Sequence, residues 1–126
     1  MEKYAQKEHL EWGTIVHQIS QGCQYLASKN IIHRDLKPAN IFRKEGQWKI
    51  GDFGFARSIS HSGALIIEAY KVGSPLFMPL ETLERNMYSI KSDSFALGVI
   101  IFSLIFKKFP FEGKDIPTIV KSIQGN

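Results

Sequence analysis

The sequence of 126 residues contains a single cysteine, Cys23, and its basic residues form no run. One thiol cannot close an internal disulfide, which excludes a disulfide-stapled scaffold and fits a reducing compartment. The net charge is +4, but because the basic residues are scattered, a nucleic-acid-binding surface is not expected. No basic leader followed by an apolar segment and a cleavage site opens the chain, so nothing indicates secretion. We therefore expect a cytoplasmic protein whose partners do not include nucleic acid.

The sequence also lacks an apolar run long enough to cross a bilayer. Its longest apolar stretch, residues 95–106, is much shorter than the roughly 20 residues that a spanning helix needs. A buried core helix is the better interpretation of this stretch, and no membrane span is expected. Because 44% of the residues are hydrophobic and 22% are charged, the chain has the composition of one ordinary globular unit.

Three stretches have the apolar spacing that is typical of helices. The first covers residues 8–28, includes Cys23 on its apolar stripe, and is followed by Asn30, a typical stop residue. The second is the apolar stretch at residues 95–106, and the third covers residues 115–124. Candidate N-cap residues for the second helix are Ser92, Asp93 and Ser94, and its expected stop signals are Lys107, Lys108 and Pro110. The apolar face of the third helix consists of Ile116, Ile119, Val120 and Ile123.

A β-hairpin is predicted between the first two helices. Residues 41–43 and 47–50 carry its strands, and a three-residue loop, residues 44–46, closes it with a glycine at the end. The register that we expect sets Arg43 opposite Gln47.

That register brings together two polar residues that flank the hairpin. Asn40 comes before the first strand and would lie beside Ile50, and Asp52 follows the second strand, so the two residues return close to each other. Amide and carboxylate oxygens are ligands that suit a hard cation such as Mg²⁺, which keeps several of its waters. The open end of the hairpin is therefore a candidate metal site.

Asp35 and Lys37 precede the hairpin and complete the groups that phosphoryl transfer requires. That reaction needs a group that orients the attacking hydroxyl, a cation on the transferred phosphate and oxygen ligands for Mg²⁺. Pro38 disfavours the helical region for the residue before it, so Lys37 is expected to be extended. In an extended segment residues i and i+2 point the same way, and Asp35 and Lys37 therefore share a face.

These candidate residues lie in two motifs that occur in the order found in protein kinases. The first reads His33, Arg34, Asp35, Leu36, Lys37, Pro38, Ala39 and Asn40, and the second reads Asp52, Phe53 and Gly54. On these motifs the chain resembles the C-terminal lobe of a eukaryotic protein kinase. The resemblance implies a protein-kinase-like C-lobe fragment of the α+β class, mainly α with a small β-hairpin.

The resemblance also implies roles for the candidate residues. Asp35 would be the catalytic base, and Lys37 would contact the transferred phosphoryl group of ATP. Asn40 and Asp52 would hold Mg²⁺, so that ATP and Mg²⁺ are the expected cofactors. A lysine two residues after Asp35 resembles the serine/threonine-specific class, whose substrate is a hydroxyl of a protein.

The same resemblance implies roles for Ser74, Asp93 and residues 54–73. Ser74, within residues 73–77, resembles a hydroxyl that steadies the catalytic Asp and Lys in this class. Asp93 resembles a buried acid that accepts backbone hydrogen bonds from the catalytic loop, and a simple helix cap is the alternative for this side chain. Residues 54–73 have no clean period and resemble the activation segment, which is expected to be mobile.

The chain departs from the family pattern near the end of that segment. Pro79, Leu80 and Glu81 stand where the family usually has Ala, Pro and Glu. In the family that Glu pairs with a buried Arg from a later helix, and no such Arg follows here. We therefore expect either that Glu81 stays hydrated or that the fold is weakened. The family's phosphate-accepting hydroxyl, which would serve Arg34, is replaced by Tyr70, Lys71 and Val72. The remaining candidate hydroxyls are Ser58, Ser60, Ser62 and Tyr70.

The front of the sequence has no glycine-rich phosphate cover, no strand lysine and no partner Glu helix. We therefore interpret residues 1–126 as a partial kinase domain without its N-terminal lobe. Because positioning and preorganised electrostatics carry most of this catalysis, we expect the isolated chain to be inactive and to bind ATP and Mg²⁺ at most weakly. A longer chain or a regulatory partner would have to supply the missing lobe.

Three hypotheses remain open on the sequence. The favoured one is a serine/threonine protein kinase fragment that transfers the γ-phosphoryl group of ATP to a protein hydroxyl. The second is a non-catalytic, pseudokinase-like interaction module that docks proteins through the apolar face at residues 116–123. The third is a truncated gene product without a stable fold. Residues 49–57 and 73–78 also resemble, loosely, the Unc-51-like kinases.

Overall fold

The computed structural model describes residues 12–125, which fold into four α-helices, six short strands and two 3₁₀ turns. The helices are α1 (Trp12–Ser28), α2 (Leu80–Arg85), α3 (Ile90–Phe106) and α4 (Ile116–Gln124). The strands are β1 (Ile31–Ile32), β2 (Ile41–Lys44), β3 (Gln47–Ile50), β4 (Arg57–Ser58), β5 (Ile66–Ile67) and β6 (Met87–Tyr88). The 3₁₀ turns are Pro38–Asn40 and Pro75–Phe77. The predicted class, mainly α with a small hairpin in an α+β fold, is confirmed.

Helix α1 buries one stripe of apolar side chains, as its spacing predicts. Ile15 and Ile19 are fully buried and Leu26 is nearly so. The helix ends at Ser28, and Asn30 then adopts a left-handed φ of 57°, which stops the helix as expected. The predicted start of this helix, residues 8–11, lies outside the described residues.

Strands β2 and β3 form the predicted hairpin, but the loop is shorter than predicted. Lys44 lies opposite Gln47, so the loop contains two residues, Glu45 and Gly46, instead of three. Both residues have positive φ, 53° and 78°. A two-residue turn with this backbone has the twist of the strands that it joins, and this match outweighs the strain of a left-handed glutamate.

The shorter loop also corrects the predicted register. Arg43 lies opposite Trp48, and Ile41 lies opposite Ile50. Beyond the last strand pair, the amide nitrogen of Gly51 donates to the carbonyl oxygen of Asn40 at 2.8 Å. Asn40 therefore faces Gly51 instead of Ile50, which brings it one residue nearer to Asp52.

The other strand pairs attach the two ends of residues 54–73, the predicted activation segment. Strand β4 pairs with β1, directly before the catalytic-loop motif, and β5 pairs with β6, directly before α3. Both pairings are antiparallel and involve two residues on each side. The segment is thus fastened at both ends to elements that support the candidate site.

Helix α3 begins earlier than the sequence predicted, and its N-cap is Ser89. The Ser89 hydroxyl accepts from the Lys91 amide at 3.1 Å, and the Ser92 hydroxyl accepts from the Ser89 amide at 2.8 Å. Ser92 therefore belongs to a reciprocal capping box without being the cap itself. The assignment of Asp93 and Ser94 as caps is wrong, because both residues lie inside the helix.

Helix α3 forms the centre of the larger apolar core. Its end at Phe106 agrees with the prediction, and Lys107 there has a left-handed φ of 60°. The core contains eight buried residues from α1, the catalytic loop, the hairpin and α3, namely Ile15, Ile19, Leu36, Ile41, Trp48, Ala96, Ile100 and Leu104. Among the described residues, no helix combines the length and apolar character that crossing a membrane would require.

A smaller core buries the apolar face of α4. Ile119 packs with Met78 and Leu83, and partly buried neighbours surround them, namely Leu76, Ile116, Val120 and Ile123. The helix begins at the predicted place, where Asp115 and Thr118 form a capping box. The face that the interaction-module hypothesis assigned to partner docking is therefore already packed against this chain, which corrects that part of the hypothesis.

Candidate active site

Asp35 and Lys37 lie on one side of the loop between α1 and the hairpin, as their spacing predicts. The Lys37 ammonium is 3.7 Å from Asp35 Oδ2 and donates to the Ser74 hydroxyl at 3.0 Å. The same hydroxyl donates to Asp35 Oδ1 at 3.1 Å. Ser74 therefore bridges the two side chains across more than thirty residues of sequence, at the position that the family resemblance implies for it.

Asn40 is buried next to Asp35, and its hydrogen bonds fix the conformation of the loop that carries Asp35 and Lys37. Its amide nitrogen donates to the backbone carbonyl of Asp35 at 2.7 Å, and more weakly to Asp35 Oδ2 at 3.4 Å. These bonds occupy the nitrogen and leave the amide oxygen as the atom available to a ligand. The short 3₁₀ turn Pro38–Asn40 sets this orientation, because the extended Lys37 precedes it directly.

Asp52 lies at the end of the hairpin and is exposed. Its backbone has a left-handed φ of 54°, and its Oδ1 accepts from the Gly54 amide at 3.4 Å. One residue separates it from Gly51, which bonds to Asn40. The hairpin therefore brings Asn40 and Asp52 to its open end.

His33 connects the two motifs, although no separate role was predicted for it. Its ring is fully buried, and its Nδ1 accepts from the Asp35 amide at 3.1 Å. With Nδ1 as acceptor, Nε2 carries the proton and donates to the carbonyl of Gly51 at 2.8 Å. The Phe53 ring contacts it edge-on, with centroids 5.0 Å apart. Its place as the first residue of the motif, directly after strand β1, was the available signal for such a role.

Asp93 supports the catalytic loop from α3. Its carboxylate accepts from the His33 amide at 2.7 Å and from the Arg34 amide at 3.1 Å. Burial raises the pKa of Asp93 above its ordinary value of 3.8, and the two backbone hydrogen bonds oppose that rise. The buried-acid interpretation is therefore the correct one of the two that the sequence left open.

The described residues fit a magnesium site that is completed by phosphate oxygens. The candidate ligand atoms near the hairpin end are the amide oxygen of Asn40 and the carboxylate oxygens of Asp52, one of which also accepts from the Gly54 amide. All of them are hard oxygens. Residues 12–125 contain no group of three or more His, Cys, Asp or Glu side chains that could bind a metal alone. Mg²⁺ is usually held by one or two carboxylates together with substrate phosphates, so this small donor set suits it.

Lys71 and Tyr88 hold the segment just before Ser74, and sequence reasoning missed both. The Lys71 ammonium donates to the carbonyls of Thr82 and Leu83 at the end of α2, at 3.1 Å and 2.8 Å. The Tyr88 hydroxyl bonds to both the amide and the carbonyl of Val72, each at 2.7 Å. Burial lowers the pKa of Lys71 and raises that of Tyr88. No spacing rule connects these residues, because the contacts exist only after α2 and β6 have packed.

The structure also shows the surroundings of Glu81, the candidate phosphorylation hydroxyls and Cys23. Glu81 is exposed at the start of α2, so it stays hydrated as expected. The candidate phosphorylation hydroxyls are all on exposed residues, namely Ser58, Ser60, Ser62 and Tyr70. Cys23 packs against the main core, and burial raises the pKa of its thiol to about 12, which fits a small core residue.

Comparison with known proteins identifies the class to which this loop, hairpin and buried acid belong. The model of the protein kinase domain family matches residues 2–125. The chain therefore belongs to the protein kinase family. Protein kinases as a family use ATP with Mg²⁺ and act on protein substrates.

Individual relatives define the subclass. The chain is 37% identical over 112 residues to serine/threonine-protein kinase ATG1c of Arabidopsis thaliana. The aligned region covers 86% of this chain and 15% of that protein. It is 32% identical over 111 residues to serine/threonine-protein kinase atg1 of Dictyostelium discoideum. The aligned region covers 85% of this chain and 16% of that protein. It is 36% identical over 108 residues to human serine/threonine-protein kinase Nek5. The aligned region covers 84% of this chain and 15% of that protein.

These relatives confirm the predicted resemblance to eukaryotic serine/threonine kinases. The two ATG1 proteins support the resemblance to the Unc-51-like group, and Nek5 shows that the similarity extends beyond that group. The chain spans about 15% of the length of the curated relatives that it matches.

Proposed function

We propose that the chain is the catalytic-loop part of a serine/threonine protein kinase, which transfers the γ-phosphoryl group of ATP to a hydroxyl of a protein. The observation that carries the proposal is the bridge from Lys37 through the Ser74 hydroxyl to Asp35. It joins the catalytic loop to the segment that faces the protein substrate in this family. A structural loop would not need an acid and a lysine held on one face by a third, distant hydroxyl.

Asp35 is the proposed base. One of its oxygens is held by Ser74, and its backbone is held by Asn40 and His33, so the carboxylate is fixed in one orientation. A carboxylate fixed in this way can orient the attacking hydroxyl and accept its proton. The neighbouring Lys37 ammonium is only partly buried and can approach the transferred phosphoryl group as a point charge.

Asn40 and Asp52 are the proposed ligands of Mg²⁺. When bound, Mg²⁺ would offset the negative charge on the phosphate oxygens of ATP. The amide oxygen of Asn40 is oriented by the bond that its nitrogen makes to Asp35, so the metal site and the base depend on the same loop conformation. A change at either position is therefore expected to affect both groups.

We further propose that residues 1–126 correspond to part of the C-terminal lobe and that an N-terminal lobe completes the nucleotide site. Residues 12–125 contain neither the glycine-rich loop that covers the ATP phosphates in this family nor the N-terminal-lobe strand that carries its lysine. Such a lobe would come from the natural polypeptide or from a regulatory partner. A cytoplasmic location, which the single cysteine favours, remains part of this proposal.

The proposal predicts that Asp35→Asn strongly slows phosphoryl transfer by the complete natural polypeptide that carries these residues. We expect kcat to fall by about 10²–10⁴-fold, because the amide keeps the shape of Asp35 but cannot accept the proton. The KM for ATP should change little. The measurement is transfer of labelled phosphate to a general protein substrate, with identification of the labelled amino acid as serine or threonine.

Asp115→Asn is the matched control for this experiment. Asp115 is an exposed N-cap of α4, and asparagine is an equally good cap, so phosphoryl transfer should equal that of the wild type. Full transfer by the Asp35→Asn variant would contradict the assignment of the base. Labelling of tyrosine alone would contradict the serine/threonine class.

A further inference from the structure

Arg34, the residue before the proposed base, is a buried cation that needs a partner. Only 6% of its side chain is exposed, and its Nε donates to the carbonyl of Phe55 at 2.6 Å. Its Nη1 makes no hydrogen bond within the described residues and lies 3.5 Å from Glu68 Oε2. A buried charge without a counter-charge is strongly unfavourable, so the Glu68 carboxylate is what allows Arg34 to occupy this position.

Glu68 connects three separate parts of the chain. Its Oε1 accepts from Nη1 of Arg57 in β4 at 3.2 Å, while its Oε2 faces Arg34 in the catalytic loop. Its backbone is fixed independently, since its amide donates to the carbonyl of Asn86 after α2 at 3.1 Å. The side chain is 21% exposed, so water screens these contacts only in part. One carboxylate thus joins both ends of the activation segment to the catalytic loop.

The charges around Glu68 are those of an anion-binding site in which the Glu68 carboxylate is the anion. Two guanidinium groups converge on one carboxylate, and the Tyr88 ring lies 5.1 Å from the guanidinium carbon of Arg34. The carboxylate comes from the chain itself, in a segment where the usual hydroxyl before Gly73 is replaced by Tyr70, Lys71 and Val72.

We propose that Glu68 is a positioning residue whose carboxylate holds the activation segment against the catalytic loop without any added phosphate. The inference rests on the proposed kinase function. Glu68 acts through Arg34, which precedes Asp35 in the chain and whose amide is held by Asp93. The kinase is therefore organised for catalysis in its unphosphorylated form.

The first experiment measures kcat of the complete natural polypeptide after phosphatase treatment, with loss of phosphate verified by mass spectrometry. The wild type should keep its kcat, and Glu68→Gln should lower kcat about tenfold or more, since the amide cannot balance two guanidinium groups. Glu68→Asp, which keeps the charge, should restore part of the loss. The matched control is Glu84→Gln, which alters an exposed carboxylate on α2 and should leave kcat unchanged.

A second variant pair tests whether Glu68 acts through Arg34. In an Arg34→Gln background, Glu68→Gln should change kcat by less than about twofold, because the partner through which it acts is gone. Additive effects would overturn the proposal, as would a wild-type kcat that phosphatase abolishes or a Glu68→Gln variant with full kcat. A fall in melting temperature alone would indicate a merely structural contact and would also overturn it.

Amide hydrogen exchange gives a readout that does not depend on activity. Glu68→Gln should speed exchange across residues 54–70, whereas Glu84→Gln should not. A wild type that transfers no phosphate at all would contradict the proposed function, and the exchange result would then decide the role of Glu68 separately. Unchanged exchange in Glu68→Gln would overturn that role.

Discussion

Gly73 is the residue at which the activation segment comes closest to the catalytic loop. Its φ is +101°, and a Cβ atom there would lie far inside van der Waals contact with the carbonyl oxygen of Arg34. Only glycine accepts both the backbone conformation and the approach. The position of the neighbouring Ser74, which bridges Asp35 and Lys37, depends on this contact.

Gly73→Ala is therefore expected to destabilise the protein and to lower kcat. The strained backbone alone costs about 1–3 kcal/mol, and the catalytic loop must shift as well. Gly98→Ala, in the exposed middle of α3, is the control, because apart from its chain neighbours and the backbone of its own helix no atom lies within 4 Å of the added Cβ. It should raise the free energy of unfolding by about 0.5–1 kcal/mol. Urea denaturation of both variants checks the opposite signs, and a neutral Gly73→Ala would contradict the close approach.

Residues that act through neighbours in sequence could be found without a structure. Asp35 and Lys37 share a face because Pro38 fixes the backbone between them, and local sterics alone predict this. For Asp93 the family resemblance left two alternatives open, and the roles of Glu68 and Lys71 were not accessible from the sequence at all. Each acts on a group far along the chain, and an acidic or basic residue looks the same in sequence whether its partner is a loop or water.

At the scale of elements, the ends of the helices depend on short local patterns. Ser89 and Ser92 cap α3 reciprocally, and Asp115 and Thr118 do the same for α4. The hairpin shows the limit of such patterns. The prediction that the loop ends with a glycine is confirmed. The length of the loop depended on whether Glu45 could adopt a left-handed backbone. The twist of the paired strands settled that choice.

Ser89→Ala tests the capping box at the start of α3. The change removes the side-chain acceptor for the Lys91 amide, whereas the bond from the backbone amide of residue 89 to the Ser92 hydroxyl can remain. We expect the free energy of unfolding to fall by about 1 kcal/mol. Ser94→Ala is the matched control, because Ser94 is exposed inside the helix and bonds only to the carbonyl of Ile90.

The control should change stability by less than about 0.5 kcal/mol. Thermal unfolding followed by circular dichroism measures both variants. Equal melting temperatures for the two variants would contradict the capping role of Ser89.

At the scale of the whole molecule, one core joins the elements that carry the site. Ile100 of α3 is fully buried and belongs to the same cluster as Ile19 of α1 and Trp48 of the hairpin. The catalytic loop contributes Leu36 to this cluster. Packing in the core therefore determines where the loop and the hairpin stand relative to each other.

Ile100→Ala is expected to weaken the fold and the site together. A buried isoleucine truncated to alanine costs about 2–5 kcal/mol, which is a large share of a typical domain stability of about 5–15 kcal/mol. Ile105→Ala, on the same helix with 40% of the side chain exposed, should cost about 1 kcal/mol or less. Chemical denaturation measures the difference, and similar values for the two variants would contradict the central position of Ile100.

The sequence by itself determined three of the helices, the presence of the hairpin, the local arrangement of Asp35 and Lys37 and the family. These depend on backbone sterics and on motifs whose residues are close in the chain. Only the tertiary structure decided between the two alternatives for Asp93 and brought Glu68 to face Arg34. It also supplied the contacts by which Ser74 bridges Asp35 and Lys37, a role that the family resemblance had implied. Such contacts form across dozens of residues when the core closes, and the free energy that selects them comes from packing, which no local pattern records.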